Sequence, residues 1–360
     1  MEYKNFARKI IYIILSFIII ISLFNYYIDP FNVFHTNNKF NKHKPNIDKN
    51  HRLSKIPAFK LNKNKIDAIW IGSSKTGWSS NEEYEKSILN QNIVNLTLNG
   101  SSFYEAITMA KNALLIHPEI KTIYFGIDFC MMKKYVEKAD DLKPISKKQL
   151  TKEEILPLLI SLDTLEHSTK TFNSNLKKKK KIKEEYGFEK QYNKKVFHKF
   201  KNTINSYYKE SYKNFQFDDN KISELKNFID WCKEKDAKVV FFTTTMHMAE
   251  RILIDNTENL NEFYKFKEEL AKIQPYYNFA IVDKYTTDEI KPDMQYFRDA
   301  VHSYAFIRRK ISNQLFGINE DFGHLVNRAN VKKHNIDDDI LFQKYKKQNQ
   351  ELVKNVKKWS

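Results

Sequence analysis

A run of uncharged residues near the N-terminus constrains this chain more than any other feature. It reads IIYIILSFIIIISLF from Ile10 to Phe24, and two tyrosines, Tyr26 and Tyr27, follow shortly after it. A helix over this stretch is about long enough to cross a hydrocarbon core of ~30 Å. A helix buried in a soluble domain is the alternative, but such a helix is rarely apolar on every side. We therefore predict a transmembrane helix over residues 10–28.

The flanks of this helix indicate its orientation. Basic residues precede it, and no small-residue cleavage site of the A-x-A type follows it. By the positive-inside rule, residues 1–9 lie in the cytoplasm and the remaining chain lies outside it, in a bacterial periplasm or at a cell surface. The predicted protein is thus an uncleaved single-pass membrane protein that contacts the lipid bilayer through residues 10–28.

The net charge bears on further partners. Lys and Arg number 61 against 44 Asp and Glu, a formal net charge of +17. Nucleic acid is not expected, because the excess is lysine rather than arginine and no nucleic-acid-reading motif is visible. The lysines cluster in LKKKKKIK (Leu176–Lys183) and in the tail from Val331. A solvated surface, an anionic lipid, an anionic envelope polymer or a compositional bias of the genome would each explain them.

Cysteine and histidine usage predicts neither a disulfide framework nor a metal site. The only cysteines are Cys130 and Cys232, and the sequence leaves open whether they pair. No grouping of His, Cys, Asp or Glu has the spacing of a metal centre. We therefore expect no cofactor.

From Ile66 onward, short apolar runs alternate with helix-like segments. IDAIWIG, NIVNLTLNG and KTIYFGIDF read as buried strands, with helical patterns between them. AKVVFFTTT and YNFAIVDKY continue the alternation after a charged interruption. This spacing predicts βαβ units and a central parallel sheet, so the fold class is α/β.

The same pattern divides the chain into segments. Residues 29–64 are polar and read as a tether that leads off the membrane, and residues 65–130 form the first part of the α/β domain. A mostly helical insertion occupies 131–217, and the second part of the domain occupies 218–318. Residues 319–360 are a basic C-terminal segment, either a surface helix or a frayed tail.

The residues that follow the strands are candidates for chemistry, because open parallel sheets bind ligands beyond the carboxyl ends of their strands. The stretch IWIGSSKTGWSS (Ile69–Ser80) places Ser73 and Ser74 at such an end. A phosphate-binding loop needs a different glycine spacing, which leaves a serine nucleophile or a simple helix cap. Ser102, after the next strand, favours a cap, since it is spaced with Glu105 as a capping box.

A serine nucleophile needs a base, normally a histidine that a carboxylate orients. The spacing D-x-x-H is weakly specific and occurs three times, at Asp48–His51, Asp299–His302 and Asp321–His324. Only Asp299–His302 follows a strand and precedes the closing helix, so it is the favoured pair, and Asp321–His324 is the second choice. His247, after AKVVFFTTT, is a candidate for the substrate pocket or else a surface or buried, hydrogen-bonded histidine.

Four blocks in this order, IGSS, NLTLNG, GID and DAVH, resemble those of the SGNH (GDSL-like) hydrolase superfamily. The apolar N-terminus and NYYIDPFNVF resemble its membrane-anchored extracytoplasmic branch, which includes relatives of the teichoic-acid D-alanyl transfer protein and of the alginate O-acetylation proteins. The resemblance covers roughly residues 1–130 and 220–316. It implies a flavodoxin-like, three-layer SGNH domain with a central parallel sheet, preceded by one N-terminal transmembrane helix. The helical insertion and the basic tail fall outside it.

The resemblance also implies roles for individual residues. Ser74 would be the nucleophile, His302 its general base and Asp299 the partner that orients the histidine. Gly100 would offer its backbone N–H to an oxyanion hole, and Ser73 stands where relatives often carry aspartate.

Asp128 departs from the family pattern, since the enzymes have at this place an asparagine that donates to the oxyanion. An ionised carboxylate accepts hydrogen bonds and cannot donate them. Either burial keeps Asp128 protonated, or Asp128 serves structure or substrate, or another group donates in its place.

Two functions follow from the resemblance. The first is a membrane-anchored, extracytoplasmic serine esterase or O-acyltransferase that acts on a cell-envelope polysaccharide or polymer through an acyl-serine. The alternative is a catalytically silent SGNH-like domain that binds a surface glycan or a membrane assembly partner. An anionic envelope polymer or a membrane-bound acyltransferase is the expected partner in either case.

Overall fold

The computed structural model describes residues 2–44, 51–77, 82–134, 142–145, 147–176 and 195–360. The lysine run after Leu176 and Asp48 of the first D-x-x-H spacing lie outside these residues. The chain forms two compact units, one from Met1–Asn64 with Pro144–Glu184 and one from Lys65–Lys143 with Glu185–Ser360.

The smaller unit is helical where it is described, and the larger unit holds the described strands. The helices are, in chain order, α1 (Glu2–Ile28), α2 (His51–Leu61), α3 (Ser74–Gly77), α4 (Glu82–Leu89), α5 (Phe103–Ile116), α6 (Lys152–Ile160), α7 (Leu162–Leu176), α8 (Val196–Tyr207), α9 (Asp219–Glu234), α10 (Met248–Asn256), α11 (Leu260–Ile273), α12 (Ala305–Leu315), α13 (Val331–Gln348) and α14 (Gln350–Trp359). The strands are β1 (Ala68–Gly72), β2 (Ile93–Asn95), β3 (Thr122–Ile127), β4 (Lys238–Thr243), β5 (Tyr276–Asn278) and β6 (His324–Val326). A 3-10 turn (Phe129–Met132) follows β3, and a π-helix (Tyr208–Tyr212) follows α8.

The smaller unit is built from α1, α2, α6 and α7. The stretch Tyr3–Ile28 of α1 has 26 residues and a mean hydropathy of 2.2, and its side chains are mostly exposed. This confirms one N-terminal apolar helix that is long enough to cross a membrane.

The segment predicted as a tether, 29–64, is folded where it is described. Phe31 and Val33 are buried in a small core with Leu158 of α6. Lys60 of α2 lies 2.7 Å from Glu154 of α6. The few apolar residues among the asparagines and lysines are enough to form this core.

The larger unit is an α/β fold around a six-stranded sheet in the order β2-β1-β3-β4-β5-β6. The strands β1 to β5 run parallel, and β6 pairs antiparallel with β5. The predicted α/β class with a mostly parallel sheet is therefore confirmed. The first five strands have the 2-1-3-4-5 order of flavodoxin-like sheets, whose ligands bind at the switch point beyond the carboxyl ends of β1 and β3.

Helices cover both faces of this sheet with their apolar sides, and neighbouring residues of a strand point to opposite faces. On one face Tyr124 of β3 packs in a cluster with Ile307 of α12. On the other face the ring of Phe125 lies 5.9 Å from that of Phe103 in α5 and 6.4 Å from that of Phe228 in α9. Burial on both faces explains why the strands read as continuous apolar runs.

The predicted insertion, 131–217, contributes to both units. Its helices α6 and α7 belong to the smaller unit, and α8 with the π-helix belongs to the larger one. The charged sequence is mostly helical where it is described, as the pattern predicts, but the helices do not form a body of their own.

The C-terminal segment, 319–360, is an integral part of the larger unit. It adds β6 to the sheet edge and the helices α13 and α14, whose Phe342 and Trp359 are buried. Asp338 of α13 lies 2.8 Å from Arg251 and 3.0 Å from Lys267, and all three side chains are buried. The segment is therefore helical and packed, and it is not a frayed tail. Its many lysines make it read as solvated, although one side of it is buried.

Candidate active site

The first strand ends in a sharp turn that presents Ser74. Gly72 has a φ of +132°, which other residues rarely adopt, and a Cβ atom there would lie 2.6 Å from the carbonyl oxygen of Gly126. The chain therefore leaves β1 abruptly and enters the one-turn helix α3 at Ser74. Ser73 is buried, whereas Ser74 is partly exposed.

Asp299 and His302 lie on a tight loop just before α12. The N–H of Arg298 donates to the carbonyl oxygen of His302 at 3.0 Å and closes the loop. Inside it, Oδ1 of Asp299 accepts from the N–H groups of Val301 at 3.0 Å and of His302 at 2.9 Å. The loop thus fixes the carboxylate by backbone contacts.

The structure brings Ser74, His302 and Asp299 into one line of hydrogen bonds. The Nε2 atom of His302 lies 3.0 Å from Oγ of Ser74. Its Nδ1 atom lies 3.0 Å from Oδ1 and 2.9 Å from Oδ2 of Asp299. Since the carboxylate only accepts, Nδ1 carries the proton and Nε2 can accept the hydroxyl proton of Ser74.

Asp299 is held in its charged form. Burial by itself would raise the pKa of this carboxyl group. The hydrogen bond and charge of His302, together with the N–H groups of the loop, outweigh the burial, so the pKa of Asp299 lies below its ordinary value. The carboxylate is therefore available at neutral pH to hold His302 in the required tautomer.

The loop after β2 lies beside the turn at the end of β1. The N–H of Leu98 donates to the carbonyl oxygen of Gly72 at 3.0 Å, which anchors the loop that carries Gly100. Gly100 has a φ of +61°, a conformation that favours glycine. Ser102 then caps α5 and forms the predicted capping box with Glu105, so this prediction is confirmed.

Asp128, just after β3, binds Ser73 rather than acting as a donor. Its Oδ2 atom accepts a hydrogen bond from Oγ of Ser73, and its Oδ1 atom accepts one from Oγ1 of Thr244 at 2.5 Å. The Ser73 oxygen in turn accepts from the N–H of Lys75 at 3.1 Å. Among the three interpretations of Asp128, this geometry favours the structural one, because a carboxylate suits a place with two hydroxyl donors.

His247 is fully buried at the start of α10. Its Nδ1 atom accepts from the N–H of Ala249 at 3.0 Å, so Nε2 carries the proton and donates to the carbonyl oxygen of Asp288 at 2.6 Å. Burial lowers the pKa of His247 to about 4. The geometry favours a buried, hydrogen-bonded histidine over a pocket residue. Its backbone N–H donates to the carbonyl oxygen of Ala300 at 3.3 Å, inside the Asp299–His302 loop.

The second D-x-x-H pair has other partners. The carboxylate of Asp321 lies 2.6 Å from Nζ of Lys284 and 2.8 Å from Nζ of Lys310. The ring of His324, in β6, packs against that of His334 with centroids 5.2 Å apart. This pair therefore belongs to the sheet edge and not to the serine turn.

A buried ion pair that the sequence does not predict lies beside Ser74. The Nζ atom of Lys75 lies 2.5 Å from Oε1 of Glu250 in α10, and the hydroxyl of Tyr212 donates to the same oxygen. Burial would lower the pKa of Lys75, but the charges of Glu250 and Asp128 raise it above its ordinary value. The available signal was an acidic residue within the apolar helical stretch MAERILI.

A second missed contact holds the other side of α3. Arg308 of α12 donates to the carbonyl oxygen of Thr76, and its Nε atom lies 3.3 Å from Oε1 of Glu85. Its guanidinium group stacks 3.7 Å from the centre of the Trp70 ring. The helix that begins with Ser74 is therefore fixed from α10 on one side and from α12 on the other.

Within the described ranges, no group of three or more His, Cys, Asp or Glu side chains is placed to hold a metal ion. Cys130 and Cys232 are both free thiols, which settles the pairing that the sequence left open. Burial raises the pKa of each thiol to about 12.

No protein-family model matches the chain. No curated protein matches it either. Fold and site together define an α/β protein with a Ser–His–Asp arrangement at the switch point of a mostly parallel sheet.

Proposed function

We propose that this protein is an SGNH-like serine esterase or O-acyltransferase that α1 anchors in a membrane, with its catalytic domain outside the cytoplasm. The observation that carries the proposal is the hydrogen-bonded line from Ser74 through His302 to Asp299, with distances of 3.0 and 2.9 Å. Three residue types in this order activate a serine for attack on an acyl group.

In the first step, Oγ of Ser74 attacks the carbonyl carbon of an ester. Its proton passes to Nε2 of His302, and Asp299 stabilises the positive charge that forms on the ring. The oxyanion needs donors, and no described residue accepts a hydrogen bond from the N–H of Ser74, which leaves that group for it. The family resemblance adds the N–H of Gly100 as the second donor.

In the second step, the leaving alcohol takes the proton from His302 and departs, which leaves an acyl-serine. Water or a hydroxyl group of an acceptor then attacks the acyl carbon, and His302 takes its proton and returns it to Ser74. Water gives ester hydrolysis, and a glycan or polyol hydroxyl gives acyl transfer. The membrane-spanning length of α1, the net positive charge and the family resemblance favour a cell-envelope polymer as the acceptor or substrate.

A catalytically silent domain that binds a surface glycan or a membrane partner is the second candidate, and Asp128 is the observation that favours it. Both of its carboxylate oxygens accept hydrogen bonds from hydroxyl groups. The donor that an asparagine would offer to the oxyanion is therefore missing, and loss of one such donor typically costs about 10²–10³ in rate.

Covalent labelling separates the two candidates. The full-length protein in detergent micelles is treated with a fluorophosphonate, whose phosphorus an activated serine attacks with loss of fluoride. Wild type should be labelled, and Ser74→Ala and His302→Ala should not. Ser101→Ala, at the end of the neighbouring loop, serves as the matched control and should be labelled as wild type is. Labelling that persists in Ser74→Ala would exclude this nucleophile, and an unlabelled wild type would favour the silent domain.

The orientation has its own test. Protease added to intact cells should trim the chain after α1 if the larger unit faces outward. Complete protection, lost only when the cells are opened, would contradict the proposed location.

A further inference from the structure

The smaller unit carries an apolar corner where α6 and α7 meet. Three side chains on this corner are exposed, namely Leu156 by 49%, Ile160 by 43% and Leu162 by 77%. The Nδ2 atom of Asn25 in α1 donates to the carbonyl oxygen of Leu159 at 2.8 Å. The corner therefore lies directly against the C-terminal part of α1.

The position of Asn25 along α1 sets the depth of the corner. Lys9 is the last charged residue before the apolar part of α1, and Asn25 lies 16 residues further along. At 1.5 Å per residue this is about 24 Å. A hydrocarbon core of ~30 Å that begins near Lys9 would end about 6 Å beyond Asn25. A bilayer that takes up α1 therefore also reaches the corner.

Several polar groups of the corner are bonded within it. The carbonyl oxygen of Pro157 accepts from the N–H of Ser161 at 3.4 Å and from Oγ1 of Thr164 at 3.2 Å. The N–H of Thr164 donates to Oγ of Ser161 at 3.1 Å. Backbone groups that enter the apolar part of a membrane must be satisfied internally. These bonds satisfy the groups of Pro157, Ser161 and Thr164 within the corner, and Leu156, Ile160 and Leu162 are its outward apolar side chains.

The charged residues of α7 near this corner are paired. The carboxylate of Asp163 lies 3.5 Å from Nε2 of His167, and Glu166 pairs with Lys170 one turn further on. A helix that lies in a membrane interface places such groups at the headgroups and its apolar side chains below them. The amphipathic pattern of α7 has this form.

We propose that the corner of α6 and α7 is a second membrane contact of this protein. Leu156, Ile160 and Leu162 insert into the boundary between headgroups and acyl chains, in the leaflet that the C-terminal end of α1 reaches. A single spanning helix leaves the attached unit free to rotate about the helix axis. The second contact fixes which side of the smaller unit faces the lipid.

Site-directed spin labelling of the full-length protein tests the proposal. Leu162→Cys and, separately, Ile160→Cys are labelled with a nitroxide and reconstituted into vesicles of phosphatidylcholine and phosphatidylglycerol. Lys170→Cys, on the charged side of α7, is the aqueous control, and Ile18→Cys reports whether α1 itself is in lipid. Unsubstituted protein gives the background, which should be low because the pKa of both native thiols is raised to about 12.

Collisions with oxygen, which partitions into lipid, and with a water-soluble nickel complex distinguish the environments. The ratio of oxygen to nickel collisions at Leu162 and Ile160 should exceed that at Lys170 several-fold and approach that at Ile18. Nickel accessibility equal to that of Lys170 would overturn the proposal. Low accessibility to both reagents would also overturn it, because a second protein surface would then cover the corner. An aqueous signal at Ile18 would remove the anchor on which the argument rests.

Discussion

Replacing one member of the Lys75–Glu250 pair should destabilise the protein far more than replacing both. The side chain of Lys75 is 1% exposed and that of Glu250 is 0% exposed. Removal of one partner leaves an unpaired buried charge, which costs about 3–5 kcal/mol. We expect Lys75→Met and Glu250→Gln each to lower the free energy of unfolding by about this amount.

The double variant should recover most of this loss. It leaves no unpaired charge, and glutamine still accepts the hydroxyl of Tyr212. Its cost should be at least about 3 kcal/mol smaller than the sum of the two single costs. Urea unfolding of the full-length protein in detergent micelles, followed by tryptophan fluorescence, measures all three values. The exposed pair Lys333–Asp337 is the matched control, since replacing either member should cost about 0.5 kcal/mol or less.

The same pair should also affect the rate at which Ser74 reacts. Lys75 follows Ser74 directly, and His247, the residue before α10, donates its N–H to the loop of His302, while α10 itself carries Glu250. Contacts at α10 thus hold both the nucleophile and its base in position. At a temperature where Glu250→Gln is fully folded, its fluorophosphonate labelling rate should fall about tenfold or more, because small misplacements of reacting groups are costly. The reasoning would be refuted if each single variant lost less than about 1 kcal/mol in free energy of unfolding, if these losses simply added in the double variant, and if the labelling rate stayed unchanged.

Two further predictions concern the residues around the base. Asp299→Asn should reduce the labelling rate by about 10³–10⁴-fold at unchanged circular dichroism, because the amide no longer holds the required tautomer of His302. The pKa of His247 is lowered from 6.5 to about 4 in the folded state, so the unfolded chain alone binds a proton between these pH values. The free energy of unfolding should therefore fall by up to about 3 kcal/mol as the pH drops from 6.5 to 4. The variant His247→Asn keeps a helix cap but cannot titrate, so the pH dependence of the free energy of unfolding that is due to His247 should vanish. Urea titrations between pH 4 and 6.5 measure it, and an unchanged dependence on pH would contradict the lowered pKa.

The strand ends were the predictable part of the candidate site. Ser74 and His302 are 228 positions apart, yet the sequence places both where the chain leaves the sheet, and they lie within hydrogen-bond distance. Such a placement can be predicted because buried parallel strands read as apolar runs and their carboxyl ends share one edge. The 2.9 Å contact between His302 and Asp299 depends on a loop closed by backbone bonds, which no local pattern indicates.

Long-range polar pairs were the unpredictable part. Glu250 reads as one acidic residue in a helix, and only the fold shows that Lys75 lies opposite it. The C-terminal segment reads as basic and solvated, because its lysines outnumber the apolar residues that pack. Asp338, which binds two buried cations, is one of three consecutive aspartates, and the sequence does not distinguish it from its neighbours.

Asp128 is the residue on which sequence and structure lead to different expectations. If the proposed SGNH-like function makes Asp128 a defective donor, Asp128→Asn should raise the rate of an esterase. In the structure its two oxygens accept from Ser73 and Thr244, and an amide would match only one of these hydroxyls without rearrangement. We therefore expect Asp128→Asn to cost about 1–3 kcal/mol of stability and to give no gain in labelling rate. A labelling rate raised about tenfold or more would show that the amide reaches the oxyanion. The hydrogen bonds from Ser73 and Thr244 would then not explain why an aspartate stands at this position.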